Sequence, residues 1–451
     1  MQRRLISKFT HSRTLATTAH DFNRQIYAKI DKPIEFDKSA FEEWPKPIIF
    51  RNWLSFLVCQ FDLITKHAPT IMNLGNHRYN PFRPFFQIGM KHTVYNQFVG
   101  GDTDADISET CANLKKYGIE PMIAIPMETE NIVAGQDISL WHEVNLEKML
   151  DSIEKAAKFC INYKPVIHVK LTGIMHDELF LKISEHIGFD IFESSSSTKF
   201  EDCVQEFINL MEGEEKDANS YFSSFLDETE LAQLKIAAKR VKLVGEKINE
   251  TKTQVLIDAE YININPAITV LTMALARIYN TPEIPYIWNT YQCYLKNTPK
   301  VIDYEISYLK KHNISWGAKI VRGAYMVSER KRAAEGGYPS PVCDDIDKTH
   351  ENYNGAIENL IERYSEGEKI QFLIASHNEE TIKLAVDQLK KVESSRGEIW
   401  DDVIFGQLYG MCDHISSALA KEKVPVYKSM PIGALEDVMP YRKLLKYSIF
   451  D

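Results

Sequence analysis

The sequence predicts an α/β chain: a (β/α)8 barrel with an N-terminal helical region and a helical insertion. Three observations lead there. From about residue 95, short apolar runs alternate with long amphipathic stretches. The alternation repeats about eight times, which requires a parallel sheet with helical crossovers. No G-x-G-x-x-G follows any of the runs, which weakens the competing open, doubly wound sheet.

The elements follow in order. Residues 1–20, MQRRLISKFTHSRTLATTAH, are basic and hydroxyl-rich, with no acid before Asp21. That is the composition of a mitochondrial transit peptide. Residues 21–94 mix aromatics with prolines and read as helices leading into a domain at 95–451. The strand runs are MIAIPM (122–127), VIHVKLTGI (166–174), QVLIDAE (254–260), IPYIWNTYQCYL (284–295), WGAKIVRGAY (316–325), QFLIAS (371–376), VIFGQL (403–408) and VPVYKSM (424–430). Helical patterns such as LEKMLDSIEKAAKFCIN and PAITVLTMALARIYN separate them. Residues about 192–250 break the rhythm: SSSSTKFED is turn-like, and an acidic then strongly helical stretch follows. This is a helical insertion between two barrel units. It lacks the D-x-[DN]-x-[DN]-G spacing of a calcium loop.

Composition narrows the chemistry. The net charge of -10 argues against nucleic-acid binding, which needs a basic field. The seven cysteines are odd in number, widely spaced and without C-x-x-C; they read as free thiols in a reducing compartment. The clustered ligands of a structural metal site are missing, so no metal is expected. No apolar run reaches the length of a membrane span.

In such barrels the active site lies at the C-terminal ends of the strands. The polar residues there are Lys170, Asp258 with Glu260, Asn289 with Gln292, Lys319 with Arg322 and Tyr325, Ser376 with His377 and Asn378, and Gln407. Burying so many polar groups is costly without partners. Each has a plain alternative. Lys170 and Asp258 could tie two strands together, and His377 could be a satisfied core histidine. The segment RGAYMVSERKRAAEGGYP (322–339) is more specific. Gly323 and Ala324 are small enough for a flat ligand to approach the backbone, and Lys319 and Arg322 place cations beside it. Ser376, His377 and Asn378 could hold a diphosphate. These residues indicate a polyanionic or redox cofactor at a barrel mouth, and leave flavin and a phosphorylated sugar both open.

The stretches LIDAE (256–260), NTYQCYLK (289–296), KIVRGAYMVSERKRAA (319–334), ASHNEET (375–381), FGQLYGMCD (405–413) and VYKSMPIGALEDVMPY (426–441) occur in one order. At these motifs the chain resembles the proline dehydrogenase family, over roughly residues 95–441. The resemblance implies non-covalent FAD in a (β/α)8 barrel and oxidation of L-proline to Δ1-pyrroline-5-carboxylate. It also implies electron transfer to ubiquinone on the matrix side of the inner mitochondrial membrane. By motif, Lys170 is expected beside the substrate, and Asp258 is expected to orient that lysine. Asn289 is expected to touch the flavin, and Lys319 to stand beside flavin N5, where the family often has arginine. Arg322, Gly323, Ala324 and Tyr325 match the flavin-contacting segment, Tyr325 also facing substrate. Ser376 and His377 match a cofactor-binding pair, and Leu408 an apolar residue over the substrate ring.

Two departures bear on the substrate. Ser429 stands where proline-specific members usually carry tyrosine, and serine there resembles the hydroxyproline dehydrogenase branch. A smaller side chain leaves room for a ring hydroxyl and can hydrogen-bond to it. Proline is the leading expectation and trans-4-hydroxy-L-proline the alternative. The family's Y-L-x-R-R-A-x-E-N motif supplies an arginine pair that clamps the substrate carboxylate. Here the matching positions are Leu444 and Leu445, so an isoform that binds flavin without turning over is a further alternative.

Overall fold

Each of the eight apolar runs overlaps a strand. They are β1 (Glu120–Ala124), β2 (Val166–Val169), β3 (Gln254–Ile257), β4 (Ile287–Gln292), β5 (Trp316–Val321), β6 (Ile370–Ala375), β7 (Val403–Leu408) and β8 (Val426–Pro431). In this computed structural model they pair in parallel in chain order and close, β8 returning to β1. The structure describes residues 34–438 apart from 37, 43, 62–65, 125–136, 160–163 and 214–220. The expected transit peptide and the Leu444–Leu445 departure lie outside the described residues.

The polar tails of the runs leave the sheet: β2, β3 and β5 end before KLTGI, DAE and RGAY. Those tails are the C-terminal mouth. Side chains alternate along a strand, and here the alternation divides the barrel interior into two zones. Met122, Val166, Leu256, Trp288, Leu373, Ile404 and Tyr427 form one buried apolar cluster. Trp288 is its largest member, and a Cβ on Gly317 would fall 2.6 Å from its ring, so glycine is what lets the indole fit. Two residues further along, the inward positions become His168, Asp258 and Ser429. Lys319, in register with Leu373, joins them. The apolar plug thus supports a polar floor.

The helices cover the outer faces through a second, larger core. Before the barrel come α1 (Lys46–Cys59), α2 (Ala68–Asn76) and α3 (Arg83–Met90), then a π-turn at Lys91–Tyr95. Next are α4 (Asp104–Lys116), which starts in a Thr103–Asp106 capping box, and α5 (Ile138–Phe159). Three helices fill the β2–β3 crossover: α6 (Asp177–Ile187), α7 (Ser194–Glu212) and α8 (Glu228–Thr251). The turn-like reading of SSSSTKFED is corrected, because α7 begins at Ser194. Its buried face of Phe200, Cys203, Val204 and Phe207 overrides the weak helix propensity of serine. The rest are α9 (Asn265–Tyr279), α10 (Thr298–Lys311), α11 (Met326–Gly336), α12 (Ile346–Ser365), α13 (Glu379–Arg396) and α14 (Asp413–Lys421).

One expectation fails on strand parity. Trp288 points inward, so Asn289 points out toward α9 and α10. Its amide donates to Glu305 at 3.1 Å and to Thr269 at 3.3 Å. Asn289 is therefore a structural residue behind the sheet, not a ligand contact in the mouth. Glu305 is fully buried and also accepts from Tyr291 at 2.5 Å. Burial pushes its carboxyl up to about 7 despite these bonds. A carboxyl whose pKa folding raises stabilises the native state fully below its unfolded value near 4.5, and that contribution is lost as pH rises through 7. The Glu305→Gln variant should therefore gain stability relative to the parent as pH climbs from 4.5 to 7 and hold that gain above it. The limit is about 3 kcal/mol. Melting temperatures measured across this range check it; a difference independent of pH contradicts it.

Candidate active site

The mouth of the barrel holds a cavity of about 250 Å³, walled by residues of β1, β2 and β5 to β8 and the loops after them. At its floor Lys319 Nζ donates to Asp258 Oδ1 at 2.5 Å and lies 3.1 Å from His168 Nδ1. His168 Nδ1 is itself 3.2 Å from the same carboxylate oxygen. Burial alone would raise the Asp258 pKa. The Lys319 ammonium, then His168 and Lys170, outweigh it and hold the carboxyl well below its usual range. Burial and the Lys319 charge both lower His168, so the imidazole is neutral between the two. The lysine that Asp258 orients is thus Lys319; Lys170, just past the end of β2, adds its positive charge to the same carboxylate. His168 was missed in the sequence reading, although parity with Lys170 places it inward.

The wall on the β5–β6 side is built around Arg322. Its guanidinium donates to His350 at 2.9 Å, Ser376 at 2.9 Å and Thr381 at 2.8 Å, and lies 4.2 Å over the Tyr353 ring. Ser376 Oγ also accepts the Asn378 backbone N–H, and Asn378 caps α13 through the Thr381 N–H at 2.8 Å. A fixed arginine beside the N-terminus of an 18-residue helix is a ready anion site. His377 Nε2 accepts the Leu408 backbone N–H at 3.0 Å. Burial, then Lys428, pushes its pKa down to about 4, so it is neutral, with its proton on Nδ1. Behind the β7 loop, buried Lys428 pairs with Asp413 at 2.9 Å and donates to the Leu408 and Met411 carbonyls. That anchor fixes Leu408.

Lys319, Arg322, Ser376, His377, Leu408 and Ser429 therefore meet at one cavity, with Asp258 bound to its floor. The structure places the others differently. Tyr325 stacks at a tilt on Tyr261, centroids 4.4 Å apart, at the start of α11. Ala324 is exposed. Gly323 does not leave space for a flat ligand: its φ is +127°, and a Cβ would fall 1.7 Å from the Tyr294 ring. Glycine there serves packing and backbone shape. On β4 the inward polar residues are Thr290, whose hydroxyl donates to the Ile257 carbonyl at 2.6 Å, and Gln292, buried and accepting from Asn265 at 3.1 Å. The Asp258→Ala substitution leaves Lys319 part-buried without its carboxylate and should cost about 3–5 kcal/mol of stability. Chemical denaturation reads this directly, and an unchanged midpoint contradicts the pairing.

Comparison with known proteins agrees with this architecture. The sequence model of the family described as proline dehydrogenase matches residues 108–445. The chain is 34% identical to the hydroxyproline dehydrogenase of Xenopus laevis, over 87% of this chain and 80% of that protein. It is 29% identical to the hydroxyproline dehydrogenase of Mus musculus, over 91% and 88%. It is 36% identical to human proline dehydrogenase 1, mitochondrial, over 49% of this chain and 36% of that one. Among solved structures, proline utilization A from Bdellovibrio bacteriovorus superposes with a TM-score of 0.64 at 15% identity, covering 93% of this chain. The chain spans only 40% of that larger protein, and the likeness concerns the fold. The closed barrel, the family match over residues 108–445 and the relative 34% identical over most of its length together make this chain a member of the proline dehydrogenase family.

Proposed function

We propose that this chain is an FAD-dependent dehydrogenase of a cyclic imino acid, with trans-4-hydroxy-L-proline as substrate. The observation that carries the choice is Ser429, a small hydroxyl in the cavity wall beside Leu408. The sequence alone put L-proline first. The Xenopus laevis and Mus musculus relatives, aligned over 87% and 91% of the chain, are named hydroxyproline dehydrogenases, which supports reversing that order, although relatives named proline dehydrogenase 1 align over a similar share. L-proline is the second reading, favoured by the match to human proline dehydrogenase 1.

The residues present fit FAD. Arg322 and the α13 N-terminus suit its diphosphate. Lys319, held by Asp258, suits the electron-rich edge of its ring system. When bound, FAD supplies the acceptor for the two electrons of the C–H bond. The protein's part is placement. Leu408 covers the ring of the substrate, Ser429 hydrogen-bonds its hydroxyl, and Lys170 attracts its carboxylate. The apolar plug below keeps water from reaching the reacting carbon from within the barrel. The amine must enter neutral or surrender a proton as the ring C=N bond forms. Ubiquinone as the final acceptor and a mitochondrial location belong to the same proposal; the human relative is named mitochondrial. The Leu444–Leu445 departure supports a different reading, a flavin-binding protein that does not turn over.

The visible spectrum separates these readings. Purified protein should be yellow, and trans-4-hydroxy-L-proline without an added acceptor should bleach it. Yellow protein unbleached by either imino acid supports the inactive reading, and colourless protein that takes up no added FAD contradicts the proposal. The Ser429→Tyr variant should shift the ratio of kcat/KM values toward proline on the order of tenfold. An unmoved ratio removes Ser429 from the account.

A further inference from the structure

The helices ahead of the barrel are apolar on two faces. Inward, Met72, Phe86, Met90, Tyr95 and Val99 pack together with Val438. Cys59 and Phe56 of α1 pack on Phe98, Met411 and Leu408. That is ordinary docking. Outward, Phe50, Trp53, Leu74, Phe82, Phe85 and Ile88 are each between 57% and 75% exposed. Phe50 and Trp53 are one turn apart with ring centroids 5.8 Å apart, and Phe82, Phe85 and Ile88 recur at helical spacing. A helix apolar all round belongs in a buried setting, and a cluster of large exposed apolar side chains marks an interaction surface.

Charge identifies the partner. Between residues 46 and 92 the sequence carries Lys46, Arg51, Lys66, Arg78, Arg83 and Lys91 against the single acid Asp62. This basic excess sits in a chain of net charge -10. Aromatic and aliphatic side chains interspersed along the sequence with cations, of which Lys46, Lys66 and Arg78 are exposed, are the composition of a segment that lies in the headgroup region of an anionic bilayer. A two-fold contact between copies would set two basic patches face to face, which like-charge repulsion opposes. Among the described residues no helix is long and apolar enough to cross a membrane, so the contact is with a surface.

We propose that α1, α2 and α3 form a docking surface for an anionic phospholipid bilayer. Asn52 bonds to Asp413, Gln97 to the Gly410 carbonyl and Tyr95 to the Gly433 carbonyl. These bonds fix the surface at the C-terminal end of the barrel, the end that opens the cavity. On the redox reading above, that placement brings a lipid-dissolved electron acceptor to the mouth; vesicle binding tests the surface without depending on that reading.

The test is sedimentation of the full chain with vesicles of phosphatidylcholine containing phosphatidylglycerol, and with vesicles of phosphatidylcholine alone. The parent should bind the anionic vesicles, and added salt should weaken the binding. The triple variant Trp53→Asp, Phe85→Asp, Ile88→Asp should bind on the order of tenfold or more weakly. The variant Lys46→Glu, Arg78→Glu should do so while leaving the apolar face intact. An unchanged melting temperature shows that each variant folds. Equal binding to both vesicle types, binding to neither, or undiminished binding by the triple variant overturns the proposal. A parent dimer in solution that the triple variant breaks also overturns it, assigning the face to a second copy of the chain.

Discussion

The ion pair between Lys319 and Asp258 is the constraint on which the mouth of this barrel depends. A lysine pointing into the middle of a closed sheet is expensive unless a carboxylate meets it. Asp258 meets it from two strands away, and His168 fills the angle between them. The contact ties β2, β3 and β5 together at their C-terminal ends and holds one positive charge at the cavity floor. Any anionic or electron-rich ring entering from above encounters that charge already desolvated and oriented. An oriented, poorly hydrated cation of this kind acts far more strongly than the same charge in water.

The two halves of the barrel interior are interdependent. Below, Trp288 and its apolar neighbours fill the barrel interior. Above, polar side chains occupy the next inward positions and would be unfavourable without the support of fixed partners. Arg322 illustrates this: a histidine, a serine, a threonine and an aromatic face already hold it. Such a guanidinium loses little further freedom when it binds an anion. Lys428 with Asp413 plays a matching part on the adjoining β7–β8 wall, locking the loop that carries Leu408.

Much of this was legible in the sequence, and the failures have specific causes. The eight apolar runs located the strands because a parallel barrel buries both faces of each strand. The strand-end rule located Asp258, Lys319, Arg322, Ser376 and His377, because polar residues after such runs have few other places to go. Asn289 is misplaced because its role rests on motif resemblance alone, whereas parity with the inward Trp288 selects Thr290 and Gln292. His168 was legible by the same period of two. Gly323 looked like space for a ligand because a sequence does not show which ring fills the gap; Tyr294 does. The serine run at 194–197 looked like a turn because propensity is local, while the buried face that makes it helical depends on distant neighbours. The outward apolar face of α1 to α3 was hidden for a related reason: apolar periodicity reports that a face exists, not what covers it.

On the proposed flavin reading, the charge of Lys319 acts on the cofactor ring. Potentiometric titration of the FAD-loaded protein and of its Lys319→Met variant tests this most directly, since the variant keeps much of the side chain's bulk while removing the cation that faces Asp258. Loss of a fixed positive charge should destabilise the reduced, more anionic ring and lower the midpoint potential by tens of millivolts. A variant that binds FAD equally well and titrates at the same potential would show that the cation lies elsewhere, and the central claim would fall.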